Sequence, residues 1–438
     1  MTARCAAADL LAAIEQGRAL EDALAATPSF ARLESRDRAF ARAIVMAALR
    51  RLGGLDAVLA RYLQRPLPDE AAHARALLRG GAAQILCLGT PVHAAVSETV
   101  TAANAIGPAR PFAKLINAVL RRLAREGAEA FAALPLGADL PAWLNTRWRA
   151  AYGDATAAAI ALGLRAEPPL DLTVKADADQ ATPKRSFSFA QARAWAQQLG
   201  GVVTPTGSVR LPARAGAVEA LAGYGEGAWW VQDAAAALPA RLLGEVRGRA
   251  VLDLCAAPGG KTLQLASAGA RVTAVERSPA RVGILRENLA RTGLEAKIIT
   301  ADARDLTAKE KFDAVLLDAP CSATGTLRRH PDAAWLRRPD DIRALCELQS
   351  QLLNAAAGFL KTGGALVYAV CSLEPEEGEG AIAAALKTGA WSRDPIAAGE
   401  IAGADEFLTP EGALRTLPSH WPDIGGLDGF YAARLLRR

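Results

Sequence analysis

Two cysteines stand where a covalent reaction could be run. Cys321 lies in Asp318-Ala319-Pro320-Cys321-Ser322-Ala323-Thr324-Gly325, and Cys371 lies in Tyr368-Ala369-Val370-Cys371-Ser372. Each follows a short apolar run, Ala314-Val315-Leu316-Leu317 for the first and Ala365-Leu366-Val367-Tyr368 for the second. Such runs read as buried parallel strands, and ligands in open α/β sheets sit at the carboxyl ends of the strands. The two thiols are therefore expected to face one pocket. A third strand end, Val251-Leu252-Asp253-Leu254, opens into Cys255-Ala256-Ala257-Pro258-Gly259-Gly260-Lys261. A cofactor loop beside two candidate nucleophiles suggests covalent catalysis on an unreactive atom.

The elements that would position these residues begin near residue 236. Strands are predicted at 250–254, 272–275, 297–300, 313–317 and 365–370, alternating with helices near 261–268, 279–291, 340–360 and 376–386. That rhythm predicts a parallel sheet covered by helices on both faces, with one more strand at 429–435. Ahead of it, residues 141–235 read as a small α+β module with strand fragments at 170–175, 202–203 and 209–211 and a helix at 191–199. Trp229-Trp230-Val231-Gln232-Asp233 leads from that module into the last domain. Residues 1–130 read as all helix, from apolar positions three and four apart such as Leu10, Leu11, Ile14 and Phe40, Ile44, Val45. The expected organisation is multidomain: a helical bundle at 1–130, the α+β module at 141–235 and an α/β catalytic domain at 236–438.

The first strand turn is built for a nucleoside. Gly259 and Gly260 let a ligand approach bare backbone, and the following helix offers free N–H groups. The loop is neither G-x-G-x-x-G nor a Walker A sequence, which counts against NAD and ATP. The second strand ends at Glu276, 23 residues after Asp253, where an acid suits two ribose hydroxyls. The third runs into Asp302, which could accept a hydrogen bond from an adenine amino group; alone it would read as a helix cap. Three acids at three successive strand ends beside a Gly-Gly loop point to S-adenosylmethionine.

With a methyl donor in place, the thiols narrow the acceptor. Nitrogen and oxygen acceptors need only deprotonation and positioning. Carbon 5 of a pyrimidine is too weak a nucleophile until a thiolate adds to carbon 6. Asp318, three residues before Cys321, could stabilise the charge that develops at ring nitrogen 3. The second thiol is a candidate for assisting release. Cys87 and Cys346 read as small apolar core residues.

Composition sets the surroundings. The chain has 438 residues, 51% hydrophobic, and no apolar run long enough for a membrane span. Six scattered cysteines without a Cys-x-x-Cys pair, and four histidines, suggest neither a disulfide framework nor a metal site. A cytosolic protein with reduced thiols is expected, its N-terminus lacking a secretory pattern. The net charge of +5 lies wholly in residues 1–130, which hold 17 Lys+Arg against 12 Asp+Glu. That excess suggests contact with a polyanion, with Arg36, Arg38, Arg42, Arg50 and Arg51 as the candidate patch. Arg328, Arg329, Arg337 and Arg338, which flank the Cys321 loop, are the other candidates.

These motifs, with Arg329-His330-Pro331-Asp332, resemble the RNA cytosine-5 methyltransferases. More narrowly, the chain is similar to the RsmB (Sun/Fmu) branch, which acts on 16S ribosomal RNA. The resemblance implies a NusB-like RNA-binding fold for the helical third, an RRM-like middle module and a class I methyltransferase domain, acting as a monomer on RNA. It implies Cys371 as nucleophile, Cys321 for product release, and a cofactor held by Cys255, Ala256, Ala257, Pro258, Gly259, Gly260, Lys261, Glu276, Asp302 and Asp318. Val370 replaces the usual Thr and Glu276 the common Asp, exchanges that keep shape and reach. Methylation of another RNA such as tRNA, or a non-catalytic assembly role, are the alternatives; the intact cysteine pair and Gly-Gly loop weigh against the latter.

Overall fold

The computed structural model describes residues 2–176, 188–213, 215–307 and 310–438. They form two compact units, Met1–Ala166 with Leu327–Arg338, and Glu167–Thr326 with Pro339–Arg438. Among the described residues no helix is long and apolar enough to cross a membrane.

The first unit is helical. Helices Ala3–Glu15, Ser35–Arg50, Ala72–Leu86 and Ala113–Ala132 enclose a core of Leu10, Ile44, Val45, Leu77, Leu78, Leu120 and many alanines. Alanine is the strongest helix former, so composition favours the helices. Thr2 caps the first by accepting the Cys5 N–H at 3.3 Å. The unit extends to Ala166 and takes in helix Ala142–Gly163, which the sequence groups with the α+β module. Asp139 helps hold that region, its Oδ2 2.7 Å from the Nε of both Arg51 and Arg165. Residues 327–338 complete the unit: Arg50 Nη2 donates to Arg328 O at 3.0 Å, Trp335 Nε1 to Leu49 O at 3.1 Å, and Leu20 N to Asp332 Oδ2 at 2.9 Å. Trp335 and Leu336 lie against the helical core. The five-arginine patch read from the sequence is thereby reduced. Arg50 and Arg51 are engaged internally, Arg328 is buried, and Arg36, Arg38 and Arg42 are exposed.

The second unit holds two sheets. The smaller contains β1 (Leu170–Val174), β2 (Val202–Val203), β3 (Val209–Leu211) and β4 (Trp229–Val231) in antiparallel order β2-β3-β1-β4, with helix Phe189–Leu199 packed on it. Arg210 on β3 forms a buried two-pronged pair with Asp171 on β1, at 2.7 Å for each contact. The same guanidinium donates to the carbonyls of Ile424 and Gly426, tying the module to the C-terminal segment of the unit.

The larger sheet comprises β5 (Ala250–Leu254), β6 (Arg271–Glu276), β7 (Lys297–Thr300), β8 (Phe312–Asp318), β9 (Leu360–Val370), β10 (Trp391–Arg393), β11 (Leu414–Thr416) and β12 (Phe430–Arg437). Its order is β10-β12-β9-β8-β5-β6-β7, with β11 paired to β12. The strands β9-β8-β5-β6-β7 run parallel, as the alternation with helices requires. The whole sheet is mixed, not parallel throughout: β12 lies antiparallel to β9, and β10 and β11 antiparallel to β12. The strands are buried on both faces, Val251, Leu316 and Val367 in one core and Leu252, Val315 and Leu366 in the other. That double burial explains why they are continuous apolar runs.

Candidate active site

The sheet delivers its polar residues to one rim because β5, β6, β8 and β9 are parallel and in register, Leu254 beside Val275 and Leu317, and Asp318 beside Ala369. At the end of β5 the chain turns through Cys255, at φ 60°, and reaches Gly259, at φ 112°. A side chain on Gly259 would put a Cβ 2.6 Å from Leu285, so glycine is required for both conformation and space. Helix Gly260–Ser267 starts there, held over β5 by Thr262 Oγ1 donating to Asp253 Oδ2 at 2.5 Å. Asp253 is fully buried, and burial pushes its carboxyl up to about 7. Arg281 donates to Ala257 O, and Asn288 Nδ2 to Pro258 O at 3.0 Å, fixing the loop from the helix after β6.

Glu276, at the end of β6, is 3% exposed. Its Oε1 accepts the Ser278 N–H at 2.9 Å, while Oε2 has no hydrogen-bond partner, with Arg281 3.4 Å away. Asp302, beyond β7, is gripped by Arg304 through Nε at 2.9 Å and Nη2 at 2.7 Å; those hydrogen bonds hold its carboxyl down at about 2. Asp318, ending β8, receives the Lys261 ammonium at 2.7 Å. Lys261 also sits 5.2 Å from the centre of the Phe430 ring. Cys255 is pushed up to about 12, by burial first and then by Glu276, Asp318 and Asp253. It is a wall of the loop and has no nucleophilic character.

Beyond Asp318 the two thiols meet, Cys321 Sγ to Cys371 Sγ at 3.4 Å. Backbone contacts hold the turns together: Ala319 N donates to Ala369 O at 2.8 Å, Gly325 N to Cys371 O at 3.0 Å, and Gly429 N to Gly325 O at 2.8 Å. A Cβ on Gly325 would lie 1.9 Å from Gly429 O. Ala323, between Cys321 and Gly325, is held at φ 60°, a conformation an alanine seldom adopts. Cys321 is raised well above an ordinary thiol, first by its hydrogen bond to Cys371, then by burial, and further by the charges of Cys371 and Glu377.

Every site residue read from the sequence thus falls on one rim, the cofactor-loop residues and acids along β5 to β7 and the thiols with Asp318 on β8 and β9. Cys87 lies in the helical unit, and burial pushes it up to about 11. Three features escaped the sequence. Lys261 is the partner of Asp318. Ser322 and Ser372, each directly after a cysteine, have hydroxyls 3.0 Å apart. Glu377, in an acidic run resembling an exposed helix start, is fully buried beneath both turns.

Residues 240–436 match the model of the 16S rRNA methyltransferase RsmB/F family, and residues 1–125 that of the NusB family. Ribosomal RNA small subunit methyltransferase B of Xanthomonas campestris pv. campestris is 39% identical over 100% of this chain and 97% of its own length. Among solved structures, that of PH0851 covers 99% of both chains with a TM-score of 0.74 at 22% identity, a likeness of fold. A methyltransferase homolog from Pyrococcus horikoshii is 26% identical over 67% of this chain and 94% of its own, with a TM-score of 0.55.

Proposed function

As the chain belongs to the 16S rRNA methyltransferase RsmB/F family, we propose that it methylates carbon 5 of a cytosine in 16S rRNA through a covalent adduct between Cys371 and carbon 6. The observation that carries the reading is the pair of sulfurs 3.4 Å apart on neighbouring strand ends, three residues along from an Asp318 paired with Lys261. Nitrogen or oxygen methylation would require neither thiol.

The cofactor loop fits S-adenosylmethionine. The vacant acceptor Oε2 of Glu276 suits a ribose hydroxyl, Asp302 an adenine amino group, and Cys255 through Lys261 with Asp318 the remaining wall. Bound there, S-adenosylmethionine would supply an electrophilic methyl group. The helical residues 1–130 and the module within 141–235 would hold the RNA, and residues 236–438 would perform the chemistry, in a monomer acting in the cytoplasm.

Cys371, as thiolate, adds to carbon 6, and the electron pair of the 5,6 double bond becomes available at carbon 5. Charge collecting at nitrogen 3 is met by a proton from the Lys261–Asp318 pair; the electron pair at carbon 5 would then form the bond to the methyl group supplied by the bound cofactor, and nitrogen 3 returns its proton to that pair. Cys321 can then lose its proton to solvent and accept the carbon 5 proton. The freed electron pair restores the 5,6 double bond and Cys371 departs as thiolate.

Trapping separates the two thiols. Cys371→Ala should neither methylate nor form an adduct, whereas Cys321→Ala should accumulate a denaturant-resistant complex with RNA on a gel. An adduct in Cys371→Ala and none in Cys321→Ala would reverse the roles. Methylation intact in both would overturn covalent catalysis.

A further inference from the structure

The carboxylate of Glu377 touches neither sulfur nor the cofactor loop, yet it contacts the residue after each cysteine. Its Oε1 accepts Ser322 N–H at 2.9 Å and Gln349 Nε2 at 3.0 Å. Its Oε2 accepts the Ser322 hydroxyl, and the Ser372 hydroxyl at 2.5 Å. Each oxygen therefore takes two donors, the full capacity of a carboxylate. Gln349 also donates to Pro320 O at 2.9 Å, so both residues flanking Cys321 connect to this group. The glutamate is itself fixed. It lies in a single π-turn, Glu376–Gly380, and its carbonyl accepts the Tyr368 hydroxyl of β9 at 2.6 Å. Single π-turns occur disproportionately at functional sites.

We infer that Glu377 is a positioning residue that clamps the turns after Cys321 and Cys371 together and so sets the spacing of the two sulfurs. The inference rests on the proposed covalent reaction for its purpose, though not for its geometry. A neutral clamp would serve less well: hydrogen bonds to a carboxylate are shorter and stronger than those between neutral groups. An apolar residue there would leave Ser322 N–H buried without an acceptor, and the two serine hydroxyls with only each other and Thr324. Because the clamp acts on backbone and hydroxyls next to the sulfurs, its loss should displace the thiols and leave the loop at Gly259 and Glu276 undisturbed.

Phenylarsine oxide, which bridges two thiols only when they are close, reads this spacing without reference to methylation. The full-length protein should capture it, and Cys321→Ser should not. In Glu377→Gln, capture should slow several-fold, kcat should fall about 100-fold as expected for a small misplacement of reacting groups, and the KM for S-adenosylmethionine should hold. Should that variant fail to fold, the double variant Ser322→Ala with Ser372→Ala keeps the carboxylate and removes two of its donors; the same pattern, smaller, is expected. Unchanged arsenical capture in whichever variant folds would overturn the inference, even if kcat fell. Slowed capture with unchanged kcat would overturn its link to catalysis. Normal capture in wild type together with methylation by Cys371→Ala would instead defeat the covalent reaction and leave the clamp standing.

Discussion

Glu377 and Glu276 are both almost absent from the surface, yet they are served in opposite ways. Beneath the thiols, Glu377 has four donors for its two oxygens. On the cofactor side, Glu276 has one N–H on Oε1 and no hydrogen bond on Oε2. A buried carboxylate oxygen without a hydrogen bond costs free energy, and at Glu276 Oε2 only the Arg281 guanidinium, 3.4 Å away, offsets it. The first carboxylate is finished architecture; the second is, on the function proposed above, a socket. Asp253 lies between them, with Thr262 on Oδ2 and nothing on Oδ1.

The contrast can be tested at either end. Gly325→Val strikes the finished end, since its Cβ would collide with Gly429 O. Methylation should fall about 100-fold or more as the Cys321 turn shifts, while calorimetry should find cofactor affinity unchanged; a parallel loss of affinity would mean the two ends are not separable. Next in size is a pH effect at Asp253, raised from 3.8 to about 7 by burial. The folded protein holds that proton longer than the unfolded chain, so stability should decline as pH rises from about 4 to about 7, by on the order of a few kcal/mol. Asp253→Asn should flatten the decline in melting scans, and an identical pH profile would remove the residue as its source. Gln349→Ala leaves Pro320 O short of a donor and Glu377 with three; chemical denaturation should show a loss of about 2 kcal/mol. Smallest is Glu276→Gln, which keeps an acceptor but removes its charge. S-adenosylmethionine binding should weaken about fivefold, or ~1 kcal/mol, with no loss of melting temperature. A drop in melting temperature with affinity unchanged would make Glu276 structural and erase the contrast.

The sequence disclosed the socket more readily than the clamp. Asp253, Glu276, Asp302 and Asp318 each end or follow an apolar strand, so a parallel sheet alone aligns them, and the thiols are found by the same rule. Glu377 depends on donors from residues 322, 349 and 372, which no local pattern connects. Its setting, Glu374-Pro375-Glu376-Glu377-Gly378-Glu379, has the composition of a solvated surface. The direction of β12 was also hidden, because a buried strand has the same apolar pattern whichever way it runs. Helix Ala142–Gly163 follows Leu134-Pro135-Leu136-Gly137, a break that reads as a domain boundary, whereas Asp139 and its two arginines draw that region into the helical unit. The same ion pair, unseen in sequence, withdrew Arg51 from the basic patch.

Residues 327–338 bear on the order in which the protein is made. The helical residues up to Ala166 are made before Trp335, Leu336 and the acceptor Asp332, which belong to the same unit. At about 5–20 residues per second, residue 338 follows Ala166 by roughly 10 to 30 seconds. Throughout that interval the Leu49 carbonyl lacks Trp335, the Leu20 N–H lacks Asp332, and an apolar seat in the core stands open. The helical unit is therefore completed only after residue 338 is made, and a nascent chain stalled before that point would present an unfinished surface to whatever meets it.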